Sequence, residues 1–196
     1  MRIGIYCSID VGPVLDRTLD YIGVDKGVEH LINQNIKPVI AIGDMDSIES
    51  EDLLSDMNIK RFSSIKDDTD TALALEYAFS LGYDHIDLYG VTKKRMDHFM
   101  AVLALLEKYQ NKHIVIYDEY NKIQVLMPGE HCIHKDGYKY FSLFAFDESY
   151  ISIEDAHYPL DYYLLKRSDP LCVSNQMNEQ HAYVTTSHPI LLIQSH

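Results

Sequence analysis

Pro38-Val39-Ile40-Ala41-Ile42-Gly43-Asp44-Met45-Asp46-Ser47 is the stretch on which the fold of this chain turns. Its first half is short, apolar and mostly β-branched, and reads as a buried strand. Two carboxylates, Asp44 and Asp46, follow where that strand should end. In an open α/β sheet, ligands bind outside the carboxyl ends of the strands. Two fixed anions there are costly to desolvate unless a cation joins them. Hard oxygen ligands suit Mg²⁺, which keeps several waters and binds substrate phosphates beside one or two carboxylates. Gly43 lets the backbone turn sharply and approach a ligand closely. Taken alone, Asp44-x-Asp46 also fits a polar turn in which Asp44 caps a helix starting near Ile48.

Outward from this stretch, the first 118 residues alternate between strand-like and helix-like patterns. Residues 3–7, 21–25, 39–42, 86–90 and 113–117 read as strands, with a further short one at 60–62. Residues 28–33, 48–57, 69–81 and 95–109 carry helical spacing; the Ala- and Leu-rich run 69–81 stops at Gly82. Residues 14–21 read as short and helical or irregular. Strands alternating with helices predict a parallel sheet covered on both faces.

Beyond Asn121 the helical spacing ends. Short alternating runs follow at 123–127, 131–134, 139–146, 150–153, 158–165, 172–174, 181–185 and 190–194. Turn residues punctuate them: Pro128-Gly129, Asp136-Gly137, Asp147-Glu148, Ser168-Asp169-Pro170 and His188-Pro189. The reading is an α/β N-terminal domain with a mostly parallel sheet, residues 1–118, followed by an all-β C-terminal antiparallel sandwich or barrel, residues 119–196.

Composition narrows the function classes. With 46% hydrophobic and 24% charged residues in 196, this is an ordinary globular composition. The net charge of −13 argues against a nucleic-acid surface. It leaves a phosphate substrate open, because a bridging metal ion inverts the local electrostatics. No apolar run approaches the roughly 20 residues of a membrane span. The opening Met1-Arg2-Ile3-Gly4-Ile5-Tyr6 reads as a first strand rather than a signal peptide. Three widely spaced cysteines, Cys7, Cys132 and Cys172, fit a reducing cytoplasm without a disulfide framework or zinc site.

Four acidic clusters fall at expected strand ends or helix starts: Asp25, the Asp44/Asp46 pair, Asp67-Asp68-Thr69-Asp70, and Asp97-His98. Lys66 precedes the third and Arg95 the fourth. Each alone has a plain explanation, such as Asp68 capping the next helix with Asp70 in its first turn. Together, in a parallel sheet, they gather on one edge, where they would repel one another without a cation. Lys66 and Arg95 add donors suited to phosphate oxygens.

These words, in this order, resemble the thiamin pyrophosphokinase family. The carriers are Asp25-Lys26-Gly27-Val28, Pro38 through Ser47, and Lys66-Asp67-Asp68-Thr69-Asp70 followed by Ala72. Gly90-Val91-Thr92-Lys93-Lys94-Arg95-Met96-Asp97-His98 comes next. In the β half they are Ser142-Leu143-Phe144, Tyr158-Pro159-Leu160 and Ser174-Asn175-Gln176. Three departures stand out. Lys26 replaces a glycine, Lys93-Lys94 replaces a glycine pair, and Gln176 replaces the usual glutamate.

The resemblance implies transfer of a pyrophosphoryl group from ATP to the hydroxyl of thiamine, giving thiamine diphosphate and AMP, with Mg²⁺ as cofactor. It assigns Asp44, Asp46 and Asp70 to the metal and the phosphates. Asp25, Lys66, Asp67, Thr69, Arg95, Asp97 and His98 fall to ATP, and Ser174, Asn175 and Gln176 to thiamine. It also implies a homodimer, a catalytic first domain, and a second domain for thiamine binding and dimerisation. From the residues alone, a pyrophosphokinase for another alcohol such as a pterin and a metal-dependent nucleotide-sugar glycosyltransferase stay open. So does a non-catalytic nucleotide or thiamine sensor.

Overall fold

The computed structural model describes residues 1–43, the backbone of 59–60, and residues 69–196. The helix expected over 48–57 lies outside these, as do Asp44, Asp46, Lys66, Asp67 and Asp68. The chain divides into two units, one of Met1–Leu105 with Lys112–Glu119, the other of Leu106–Asn111 with Tyr120–His196.

Among the described residues the first unit carries six parallel strands: β1 (Arg2–Tyr6), β2 (Tyr21–Val24), β3 (Ile40–Ile42), β4 (Ile59–Lys60), β5 (His85–Tyr89) and β6 (His113–Tyr117). Their order is β4-β3-β2-β1-β5-β6. Successive residues of β1, β2, β3 and β5 are buried, so both faces of the pleat are out of solvent. Its helices among the described residues are α1 (Gly27–Asn33), α2 (Asp70–Ser80) and α3 (Met96–Lys108), the last turn of α3 grouping with the second unit. The chain builds outward from β1 to β4 and then returns to add β5 on the other side. The strand order therefore reverses at β1, and a ligand crevice is expected at the carboxyl ends there.

A row of tyrosines explains the irregular second segment. Tyr6, Tyr89 and Tyr117 occupy matching positions on β1, β5 and β6. Their rings stack at 5.6 and 5.7 Å between centroids. The Tyr6 hydroxyl accepts from Val11 N at 3.1 Å and donates to Gly12 O at 2.8 Å. Tyr89 accepts from Leu15 N at 3.2 Å, and Tyr21 donates to Asp16 O at 2.6 Å. The Tyr89 and Tyr21 hydroxyls thus engage two backbone groups of the irregular segment 14–21, and the Tyr6 hydroxyl two of the residues just before it.

The second unit is antiparallel throughout. It comprises β7 (Asn121–Leu126), β8 (Gly129–His134), β9 (Tyr140–Ala145), β10 (Glu148–Glu154), β11 (Leu160–Lys166), β12 (His181–Thr186) and β13 (Ile190–Ser195). One sheet here runs β7-β13-β9, the other β11-β10-β12-β8. Phe141, Leu143, Ile151, Ile153, Leu165, Val184 and Leu192 fill the space between them, which makes this a sandwich. The strand expected at 172–174 is absent. Ser174 takes φ +60, which ends any extended run, and the ladder shrinks to isolated bridges, Phe141 to Asn175 and Ala156 to Met177. Among the described residues no helix is long and apolar enough to cross a membrane.

Candidate functional site

Two recesses carry the predicted residues. The first, of about 220 Å³, opens in the first unit where β1, β2 and β5 end. Asp25, Thr69, Asp70 and His98 line it together with Cys7 and Ser8. Each arrives there for a local reason. Asp25 follows β2, and its N–H donates to Ile42 O on β3 at 3.0 Å, so the turn is tied to the neighbouring strand. Its φ of +49 is a conformation that Asp tolerates better than most side chains. Thr69 caps α2, its hydroxyl accepting from Ala72 N at 3.2 Å, which sets Asp70 in the first helical turn. The positive end of the helix dipole favours an anion at that place.

Gly43 fixes how close β3 comes to this wall. Its φ is +132, and a Cβ on it would stand 1.9 Å from Asp25 Oδ1. Any side chain there would fill the approach to the carboxylate. Asp25 and Asp70, two hard oxygen donors on one cleft, fit a hard divalent cation. Ser8 Oγ donates to the other Asp25 oxygen at 3.4 Å. Cys7 is no nucleophile here. Burial pushes its thiol up to about 12, nearby Asp25 and Asp70 add to the effect, and its contact with Thr71 Oγ1 at 3.6 Å only partly opposes it.

Arg95 and Asp97 are not in the cleft lining. They pair with each other at 2.6 Å in an exposed position. This hydrogen bond raises the Arg95 guanidinium and lowers the Asp97 carboxyl. Just before them Lys93 and Lys94 take φ +69 and +59, the left-handed region that a glycine pair would favour. Lys93 also reaches Glu119 at 3.0 Å.

The second recess, of about 440 Å³, lies in the sandwich unit. Ser174 and Asn175 line it with Tyr158, Leu160, Leu171 and Val173; Gln176 is not part of the lining. Ser174 N donates to the Ser142 hydroxyl at 3.0 Å. Asn175 is buried, and its carboxamide accepts from Tyr158 N at 3.0 Å and donates to Tyr158 O at 2.8 Å. Sequence reasoning missed the apolar wall of Tyr158, Leu171 and Val173. Its only signal was the Tyr158-Pro159-Leu160 word, because an aromatic residue in a strand pattern defaults to the core.

A parallel α/β unit with a carboxylate-bearing cleft, carried in one chain with a β-sandwich holding an apolar recess, defines a bipartite protein with two chemically distinct recesses. The profile of the thiamin pyrophosphokinase catalytic domain matches residues 14–117, and that of the thiamin pyrophosphokinase vitamin B1 binding domain matches residues 130–191. The thiamine pyrophosphokinase of Bacillus subtilis (strain 168) is 34% identical over 182 residues, covering 88% of this chain and 85% of that protein. A crystal structure of thiamine pyrophosphokinase from Bacillus subtilis superposes with a TM-score of 0.89 at 31% identity, covering 100% of this chain and 99% of that one. The thiamin pyrophosphokinase of Candida albicans shares the fold, with a TM-score of 0.80 at 15% identity over 100% of this chain and 89% of that one. The chain therefore belongs to the thiamin pyrophosphokinase family of enzymes.

Proposed function

We propose that this chain transfers the pyrophosphoryl group of ATP to the hydroxyl of thiamine in a Mg²⁺-dependent reaction, releasing AMP. The observation that carries this reading is the match, in order along one chain, to a catalytic and a vitamin B1 binding profile. Each matched half holds a recess of suitable chemistry, one edged by carboxylates and the other apolar.

The acceptor oxygen attacks the β-phosphorus, the bond from that phosphorus to the α–β bridging oxygen breaks, and the hydroxyl proton passes to a cleft carboxylate. Such transfers depend chiefly on positioning and on charge stabilisation. Asp70, with Asp44 and Asp46, would hold the cation, and Asp25 would stand beside it. Bound Mg²⁺ would offset charge on the phosphate chain and align it. Among the described residues no three metal-ligating side chains converge. The set draws its remaining carboxylates from Asp44 and Asp46, outside those residues.

Thr69 and the start of α2 offer backbone donors to phosphate. Lys66 and Arg95 would neutralise charge on the ATP chain, with Asp67, Asp97 and His98 ordering it. Arg95 would exchange its exposed Asp97 partner for a phosphate oxygen, a small cost because exposed pairs are worth little. Ser174, Asn175 and Gln176 belong to the thiamine half. We also read the protein as a cytoplasmic homodimer. The free Cys7, Cys132 and Cys172 support a reducing compartment, and the family resemblance supports the dimer.

Incubation with ATP, Mg²⁺ and thiamine should yield AMP and thiamine diphosphate in equal amounts. Parallel reactions with a pterin alcohol should yield neither AMP nor product. Release of ADP, or use of the pterin in preference to thiamine, would contradict the reading.

A further inference from the structure

Tyr158 is 67% exposed, yet its backbone is held as firmly as a core residue. Its N–H and C=O both bond to the carboxamide of Asn175, at 3.0 and 2.8 Å. Pro159 follows, which fixes its own φ and disfavours a helical backbone at Tyr158. The clamp is itself anchored. Asn175 is only 3% exposed, and its backbone N–H and C=O pair with Phe141 at 2.9 Å each. Its Oδ1 also accepts from Gln176 N at 2.9 Å. With two hydrogen bonds into Oδ1 and one from Nδ2, little of this carboxamide is left for a ligand.

The wall so built has a particular chemistry. The side chains lining the recess are Ile153, Tyr158, Leu160, Leu171, Cys172, Val173, Ser174 and Asn175, none of them charged. Leu171 and Val173 are 56% and 45% exposed, so the floor is apolar and open. A volume of about 440 Å³ suits a small organic ligand. A flat cationic heterocycle entering it meets one π face, that of Tyr158, and no carboxylate. Stacking and cation–π attraction are what such a face supplies.

We infer that Tyr158 is the aromatic platform of the acceptor pocket, stacking on a heteroaromatic ring of the acceptor, and that Asn175 is a positioning residue holding that platform by its backbone. This rests on the proposed reading of thiamine as acceptor. It differs from a direct role for Asn175, because it makes the effect of Asn175 depend on the ring at 158.

The test is steady-state kinetics together with calorimetric binding of thiamine. Tyr158→Leu should raise the thiamine KM and Kd by about tenfold, with kcat and the ATP KM within about twofold. Tyr158→Phe should restore the thiamine KM, because the face and not the hydroxyl acts. Asn175→Ala should raise the thiamine KM in the wild-type background. In the Tyr158→Leu background it should add less than about twofold. A Tyr158→Leu protein with unchanged thiamine KM and Kd would overturn the platform. Effects of the two substitutions that multiply independently would overturn the positioning role. If Asn175→Ala does not fold, Asn175→Asp keeps the acceptor atom and loses the donor, and the same non-additivity is required of it. A wild type that binds thiamine without transferring the pyrophosphoryl group defeats the parent reading, while the calorimetric comparison of Tyr158 variants still decides the platform. A wild type that neither binds nor uses thiamine overturns both.

Discussion

The two recesses hold their residues in opposite ways. In the first unit the sheet does the holding. Asp25 sits at the end of β2 with its N–H on β3, and Asp70 starts a capped helix. In the second unit a side chain does the holding, since the Asn175 carboxamide stands in for a strand neighbour of Tyr158. The difference suits the chemistry proposed for each. Carboxylates around a cation repel one another, so their spacing has to be rigid, and strand ends in a parallel sheet give that rigidity. An aromatic platform needs area and fixed orientation, which a clamped loop on a sandwich supplies at lower precision.

The sharpest way to break this comparison is to remove one polar group from each recess, a charged one from the cleft and a neutral one from the apolar recess. Asp70→Asn keeps size and helix position but removes an anion from the cleft. Turnover should fall by about 100-fold or more, equivalent to about 3 kcal/mol of transition-state stabilisation, with the melting temperature little changed. Ser174→Ala in the apolar recess should cost only a few-fold, and in thiamine KM. Both are read by steady-state kinetics with thermal melting as a control. Comparable losses in kcat from the two would erase the distinction between a charge-handling site and an acceptor site.

Next in size is Gly43→Ala. The added Cβ would collide with Asp25 Oδ1 at 1.9 Å, and the φ of +132 is strained for any L side chain. Destabilisation of about 2 kcal/mol is expected from backbone strain alone, together with a loss of turnover as Asp25 is displaced. Denaturant unfolding measures the first and initial rates the second. A variant as stable and active as wild type would mean that the turn after β3 is free to move, contrary to the rigidity argued for the cleft.

Much of this was readable from the residues, for identifiable reasons. β1, β2, β3, β5 and β6 are runs buried on both faces, so they stand out as continuous apolar words. The strand ends then carry Asp25 to the cleft, and Asp70 falls in the first helical turn as read, although the cap is Thr69, one residue after the Asp68 that the sequence pointed to. The irregular 14–21 segment was ambiguous because one of the two tyrosine hydroxyls that bond its backbone belongs to Tyr89, 74 residues from Leu15. Cys172-Val173-Ser174 has strand composition, but the left-handed Ser174 is invisible in composition. The Arg95–Asp97 pair and the exposure of Tyr158 are tertiary facts that no periodicity encodes.

Alkaline pH should separate the units in another way. Burial pushes Cys7 from 9.0 up to about 12, and Tyr6 and Tyr21 from 10.0 up to about 12; burial raises Tyr89 as well. In the second unit burial raises Cys172 to about 11, and a hydrogen bond to Asp169 raises the surface Tyr163. For each such group the folded state holds its proton more tightly than the unfolded chain. The stability this supplies is complete below the unfolded pKa and is lost as pH rises through the folded one. The first unit, with four such groups against two, should therefore lose more stability than the second as pH rises from about 9 to about 12. The buried row should ionise in one steep step, in which Cys7 also becomes open to alkylation. Gradual ionisation of Tyr6, Tyr21 and Tyr89, with Cys7 protected throughout, would contradict this ordering.

The smallest effect expected is at Lys94, and it tests whether the β5–α3 loop of the first unit shares the rigidity of the cleft. Lys93 and Lys94 are consecutive left-handed residues, at φ +69 and +59. For a residue with a Cβ this conformation costs about 1–2 kcal/mol. Lys94→Gly removes that strain but adds conformational freedom to the unfolded chain, which takes back about 0.5–1 kcal/mol. The net gain should be about 0.5 kcal/mol, a rise of about 1–2 °C in melting temperature for a chain of this length. Lys93 is the poorer choice, since its ammonium pairs with Glu119 at 3.0 Å and the substitution would remove that as well. If the loop can relax out of the left-handed conformation, the strain is not stored, and Lys94→Gly should destabilise by the entropy term alone. The sign of the melting shift therefore decides whether the two lysines hold a glycine-like turn under strain, as the sheet-anchored cleft holds Asp25, or occupy a loop that yields.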